Sequence, residues 1–284
     1  MPQSQRLLVY LVMYTLVSTL QYPIAKDGLH FASPFTFMAL RFSIASIVTW
    51  ALAREFHPIL NRDTLFLSSF TALSATFWIY GLDLVSPAQS AVLSYTMPLL
   101  VIPLSALILQ ERTTVLGWGG AVVGFSGVVI YGLGLTDSGS TLLGGLLSVG
   151  GALFWGLFTI FYRKARNQDP TMTVATQFLV CALIFWLVSP FSFTLAPNSE
   201  FLLDLAYVSI LNGAVGFMLW NAMVRMETVV RLTTLVFSVP AATVVVQAFS
   251  TGVLPSVASV IGMGVMFLGI YISRTRVGSP NHQT

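Results

Sequence analysis

Long, nearly uncharged apolar runs follow one another along this whole chain, and they limit its fold more than any other feature. They lie near residues 7–25, 34–53, 64–83, 87–109, 114–134, 142–162, 171–193, 202–223, 232–251 and 256–273. A helix that crosses a hydrocarbon core ~30 Å thick needs ~20 mostly apolar residues. The runs are continuous, not alternating, which selects helices over a membrane barrel; a helix also satisfies its own backbone groups in lipid. Charged residues are only 8% of the chain, against about a quarter in soluble domains, so the outer solvent is lipid. The expected fold is an all-α membrane protein with ten transmembrane helices. The first run follows Arg6 as a secretory signal would. It continues through Gln21, Tyr22 and Pro23 without a small-residue cleavage site, so it is read as a retained span.

The net charge of +3 does not point to nucleic acid. The basic residues are scattered between apolar runs, with no basic face. Their distribution speaks to orientation instead. With the N-terminus in the cytosol, the cytosolic segments hold Arg6, Arg54, Arg62, Arg112, Arg163, Lys164, Arg166, Arg225, Arg231, Arg274 and Arg276. The outer segments hold Lys26, and Arg41 lies within a span. Both termini are thus expected in the cytosol. The single cysteine, Cys181, excludes an internal disulfide framework and sits in an apolar run, where it acts as a small packed hydrophobe.

The chain also repeats itself. Displaced by 142 residues, 77–131 matches 219–273 without a gap at ten of 55 positions, including Trp78 with Trp220 and Pro98 with Pro240. A 141-residue shift superposes the first span on the sixth. Two repeats are expected, 1–137 and 138–284, each of five spans. Because five is odd, the second copy enters the membrane in the opposite sense, the organisation from which many carriers build two alternating states.

Four features resemble the drug/metabolite transporter superfamily, specifically its ten-helix members with two EamA-type halves. They are the five-plus-five organisation; PFTFMALRF at 34–42, with its echo from Pro170 to Phe178; SYTMPLLVIPLSALILQER at 94–112; and the glycine-rich run GWGGAVVGFSGVVIYG at 117–132. Among subfamilies the chain is most similar to bacterial exporters of amino acids, aromatic ones included. The resemblance implies export of amino acids and related metabolites across the cell inner membrane. The second half departs from the pattern, with Gln177 in place of Arg41 and no Glu-Arg pair after the ninth span.

The candidate site is read from helix faces. Tyr10, Tyr14, Ser18 and Gln21 share one face of the first span, and Gly151, Trp155, Thr159 and Tyr162 share the matching face of the sixth. This stripe either lines a permeation path, its rings stacking on cargo and its hydroxyls bonding polar ends, or serves in aromatic belts and interhelical packing. Trp78, on the face of Thr71 and Ser74, and Trp220 are candidate gates or belt residues. Tyr95 and Phe237 flank the midspan prolines Pro98 and Pro240, read as paired hinges or as static kinks. Arg41 binds a substrate carboxylate, or else it snorkels or braces backbone carbonyls. Its recurrence in the resembled family across varied substrates favours the structural role. The glycines of the fifth and tenth spans are read as packing surfaces.

No Asp or Glu falls near midspan and no histidine falls in a span, which favours a facilitative carrier over a proton-coupled antiporter. No metal or cofactor is expected. The partners expected are membrane lipid and a small solute, a neutral or aromatic amino acid, with the chain a monomer or homodimer. The alternatives are a carrier of drugs, purines or nucleotide sugars, for the last of which one Arg supplies too few cations, and a membrane-embedded enzyme, for which no catalytic set is visible in the spans.

Overall fold

The computed structural model describes residues 3–108, 114–133, 141–165, 167–227, 232, 235, 236 and 238–274. Among them the chain is almost wholly helical, with no strand longer than the isolated bridge Ala32–Leu195. Ten helices are numbered here in chain order: α1 Gln3–Gly28, α2 Pro34–Ala53, α3 Arg62–Leu84, α4 Pro87–Ile108, α5 Val115–Leu133, α6 Leu142–Lys164, α7 Pro170–Val188, α8 Ser199–Met226, α9 Ser238–Thr251 and α10 Val257–Arg274. Eight are long and apolar enough to cross a membrane, and α9 and α10 are shorter apolar helices. Their outward surfaces carry aliphatic and aromatic side chains such as Leu16, Ile47, Val122, Leu187 and Phe249. This is an all-α membrane protein whose outer shell is solvated by lipid tails.

Helix starts follow local chemistry. The side chains of Asn61, Ser86, Thr141, Asp169 and Asn198 each accept a hydrogen bond from a backbone N–H in the first turn of α3, α4, α6, α7 and α8. Proline opens α2, α4 and α7, where its missing donor is one the helix leaves unused anyway.

Three helices depart from regularity. α1 continues through Pro23, which cannot donate to the carbonyl of Thr19. The Thr243 hydroxyl of α9 donates to that carbonyl at 3.3 Å, while also reaching its own helix at Val239. α4 breaks into Pro87–Ser94 and Met97–Ile108 at a turn over Tyr95 and Thr96. α8 widens into π-helix over Tyr207–Gly216.

The two expected hinge prolines do not lie within unbroken helix. Pro98 stands in the first turn of the second piece of α4, and Pro240 in the first turn of α9. The physical reason is that proline clashes with the carbonyl four residues back, which a fresh helical start avoids. Pro103 does lie within the helix. Lys26, expected in a loop, occupies the last turn of α1, and its ammonium donates to the carbonyls of Leu82 and Asp83 at the end of α3.

The principal packing partners are α5 with α10, α3 with α6, α2 with α7, α1 with α8, α4 with α6, α2 with α8, α3 with α7, α4 with α9 and α1 with α9. Exchanging each helix for the one five places on leaves this set unchanged. The directions also oppose. The end of α3 and the start of α6 meet through Thr141 N–H to Leu84 O, beside Lys26 at the end of α1. At the other end, Gln3 at the start of α1 donates to Met226 O, and Arg225 ties α8 to Tyr162 and Gln168 at the end of α6. So α6 runs against α1. The expected boundary at 137/138 lies outside the described residues.

Candidate functional site

α1, α2, α3, α4, α6 and α8 surround a central cavity, with Val236 closing one side. It holds about 810 Å³ of empty space, its open mouth included, an upper bound that admits one metabolite-sized molecule.

Each wall comes from one helix face. α1 supplies Tyr14, Gln21 and Tyr22; α2 supplies Arg41 and Phe42; α3 supplies Thr71, Ser74, Ala75 and Trp78. α4 supplies Ser94, Tyr95 and Met97 at its break, where the turn leaves room beside the helix axis. α6 adds Gly151, Ala152 and Trp155, and α8 adds Asn212, Gly216, Phe217 and Trp220. Gly151 lets α6 approach α3 closely: a Cβ there would meet the backbone of Trp78 and Ser74, and the Ser74 hydroxyl donates to Gly151 O at 2.9 Å.

Eight of the twenty described lining residues are aromatic. Tyr14 and Tyr95 both line the cavity and are buried. Tyr22 stands edge-on to Trp78 at 5.9 Å, Tyr14 lies 5.5 Å from Trp220, and Trp155 lies 5.0 Å from Phe217 and 6.0 Å from Trp220. Beyond Trp155 toward the end of α6, Phe158 and Tyr162 continue the stack and are fully buried. There the Arg225 guanidinium lies 5.6 Å over the Tyr162 ring and donates to Gln168 O at 2.9 Å. Aromatic packing and a cation–π contact thus cover this buried end of α6.

Arg41 is 5% exposed, with its guanidinium at the cavity wall. Nη2 donates to Asn212 Oδ1 at 2.7 Å, the group lies 5.2 Å from the Trp78 ring, and Nε has no partner. Among the described residues no carboxylate pairs with it, and none lines the cavity. A second polar pair mirrors this one. Gln177 of α7, fully buried, donates through Nε2 to Thr71 Oγ1 at 2.6 Å. Arg41 and Gln177 each stand eight positions into a helix opened by proline. Thr71 and Asn212 are 141 residues apart, Trp78 and Trp220 are 142 apart, and the change of offset falls within the π-helical stretch of α8. An extra residue accommodated as π-helix is frequent at functional sites.

Of the residues expected from sequence, the cavity brings together Tyr14, Gln21, Arg41, Trp78, Tyr95 and Trp155. Tyr10 is half-buried against the core, outside the lining. Thr159 is buried and donates to Trp155 O at 2.9 Å, and Tyr162 is buried in the aromatic packing at the end of α6. Phe237 lies outside the described residues. Pro98 and Pro240 are buried near the lining without joining it. Sequence reasoning passed over Tyr22, although it stands four residues from Ser18 and so on the same face. It also passed over Asn212, whose pairing with Arg41 spans 171 residues of sequence.

Similarities to known proteins agree with this architecture. The profile of the EamA-like transporter family matches residues 6–133 and 142–275. An uncharacterized transporter of Acidianus ambivalens is 50% identical over 238 residues, 84% of this chain and 92% of that one. A riboflavin transporter of Vibrio cholerae is 29% identical over 130 residues, 43% of this chain and 41% of its own. A solved crystal structure superposes with a TM-score of 0.71 at 21% identity, covering 95% of this chain and 96% of the other.

Proposed function

This chain belongs to the EamA-like transporter family, and from that premise we propose that it exports amino acids and related small metabolites by alternating access through the central cavity. The observation that carries the reading is the wall itself. Among the described lining residues, three tyrosines and three tryptophans offer stacking surfaces, Gln21, Thr71, Ser74 and Asn212 offer neutral hydrogen bonds, and Arg41 is the one cation. A zwitterion of low net charge with an apolar or aromatic side chain suits such a lining. Phosphorylated cargo, which calls for several cations, does not.

The mechanism follows from the packing. The two halves, 1–137 and 138–284, act as inverted repeats around the cavity, and each state closes one end. The closed end held by Tyr162, Phe158 and Arg225 opens as its counterpart seals, and the breaks at Pro98 and Pro240 absorb the backbone change. The excess of Arg and Lys on one side supports a cytosolic position for that end. With no carboxylate among the described lining residues, the carrier is facilitative, moving solute down its gradient.

Uptake of labelled phenylalanine into proteoliposomes tests this. Saturable flux accelerated by unlabelled amino acid on the far side is expected. Trp155→Ala lowers it about tenfold, the scale of one lost aromatic contact, while Leu187→Ala, on the exposed lipid face, leaves it unchanged. Equal rates in both variants would remove the cavity from the transport path. A second cargo class, flat heterocycles, is favoured by the aromatic wall together with the riboflavin-transporter relative; riboflavin in the same assay separates the two.

A further inference from the structure

Resting on the reading of this cavity as the cargo site, we infer that Arg41 is an anchor for a carboxylate, and that the cavity selects organic acids and zwitterions over amines of the same shape. The argument begins with the two mirrored braces. On one side α2 is tied to α8 through Arg41 and Asn212; on the other α7 is tied to α3 through Gln177 and Thr71. Both ties cross between the halves at corresponding places, and the second does so without charge. Bracing therefore does not require a cation: a glutamine suffices in the same fold.

Placing a cation there is unfavourable unless something compensates it. The surroundings of Arg41 supply only part of that compensation. Asn212 accepts one hydrogen bond and the Trp78 ring faces the guanidinium. Nε, buried and without a partner, remains unsatisfied in a group that is 5% exposed. A guanidinium offers parallel N–H groups that fit the two oxygens of a carboxylate. An anion arriving from the cavity would offer acceptors to the guanidinium at the lining and neutralise its charge. The apolar remainder of such a cargo meets Trp155, Trp220 and Phe217 across the cavity. An amine without a carboxylate would meet the same rings but face a like charge.

The test compares phenylalanine, 3-phenylpropanoate and phenethylamine with the full-length protein. Two readouts are used, thermal stabilisation in detergent and competition against labelled phenylalanine in proteoliposomes. In the wild type both acids should bind at least tenfold more tightly than the amine. Arg41→Gln should weaken both acids at least tenfold while the amine binds as well as before or better, and Arg41→Lys should retain the preference for acids. Equal handling of acid and amine by the wild type would overturn the inference without recourse to any variant. Equal weakening of all three ligands by Arg41→Gln would also overturn it and make Arg41 a brace alone. If 3-phenylpropanoate stabilises the wild type and not Arg41→Gln, yet phenylalanine shows no exchange flux, the anchor stands and the amino-acid transport reading falls.

Discussion

At the scale of single residues, this bundle handles Pro23 through a partner far away in sequence. Pro23 orphans the Thr19 carbonyl in the middle of α1, and Thr243 of α9 reaches across to it. Thr243→Val removes that donor at nearly constant volume and should lower unfolding stability in detergent by about 1 kcal/mol, the size of one hydrogen bond inside a membrane protein. In a Pro23→Ala background, where the backbone supplies its own donor, the same change should cost less than half as much. Equal losses in the two backgrounds would show that Thr243 acts through Val239 or through packing alone. None of this was legible in the sequence, because a threonine at 243 announces nothing about a proline in the first span. The candidate residues that the cavity gathers share one property. Tyr14, Gln21, Trp78 and Trp155 were found from spacing along their own helix, which a sequence states directly. Asn212 was not found, because its pairing with Arg41 is a product of tertiary packing and of a π-helical stretch that spacing at 3.6 residues per turn does not foresee.

At the scale of elements, α5 and α10 form the tightest seam between the halves. A Cβ on Gly269 would meet the backbone of Gly124, one on Gly127 that of Met266, and one on Gly262 that of Tyr131. The glycines are what permit two backbones to touch, and dispersion at this distance replaces the hydrophobic drive that lipid cannot supply. Gly269→Val should destabilise the protein by about 1–3 kcal/mol, since backbone cannot rotate out of the way. Gly264→Val, on the same helix with open space around it, should stay within about 0.5 kcal/mol. Thermal melts of the two variants check this, and similar losses in both would mean that the seam tolerates separation. A second prediction concerns the closed end. Arg225→Ala removes the bond to Gln168 O and the contact with Tyr162. A cysteine placed at buried Thr159 in a Cys181→Ser background should then react several-fold faster with a water-soluble thiol reagent. An unchanged rate would show that Arg225 does not hold this end shut. The glycine-rich fifth span was readable as a packing surface from sequence, and its partner helix emerged only with the fold.

At the scale of the whole molecule, the pairing of helices is unchanged when each is exchanged for the one five places on, and α6 runs against α1. The succession of apolar runs made the ten helices legible, since hydropathy and length depend on composition alone. The ends of α8 were less legible, since it runs from Ser199 to Met226 where the apolar run spans 202–223, and its π-helical stretch was not foreseen. The cavity arises where the two halves meet, so neither half states it by itself. The central claim is that this one cavity faces each side of the membrane in turn. Ala75 lines it and is small enough to replace with little disturbance. The most direct measurement labels an Ala75→Cys, Cys181→Ser protein with a membrane-impermeant thiol reagent, in right-side-out and in inverted vesicles. The account predicts labelling from both sides, with saturating cargo slowing it on each, while a cysteine at lipid-facing Val122 reacts from neither. Labelling from one side alone, whatever the solute, would contradict it.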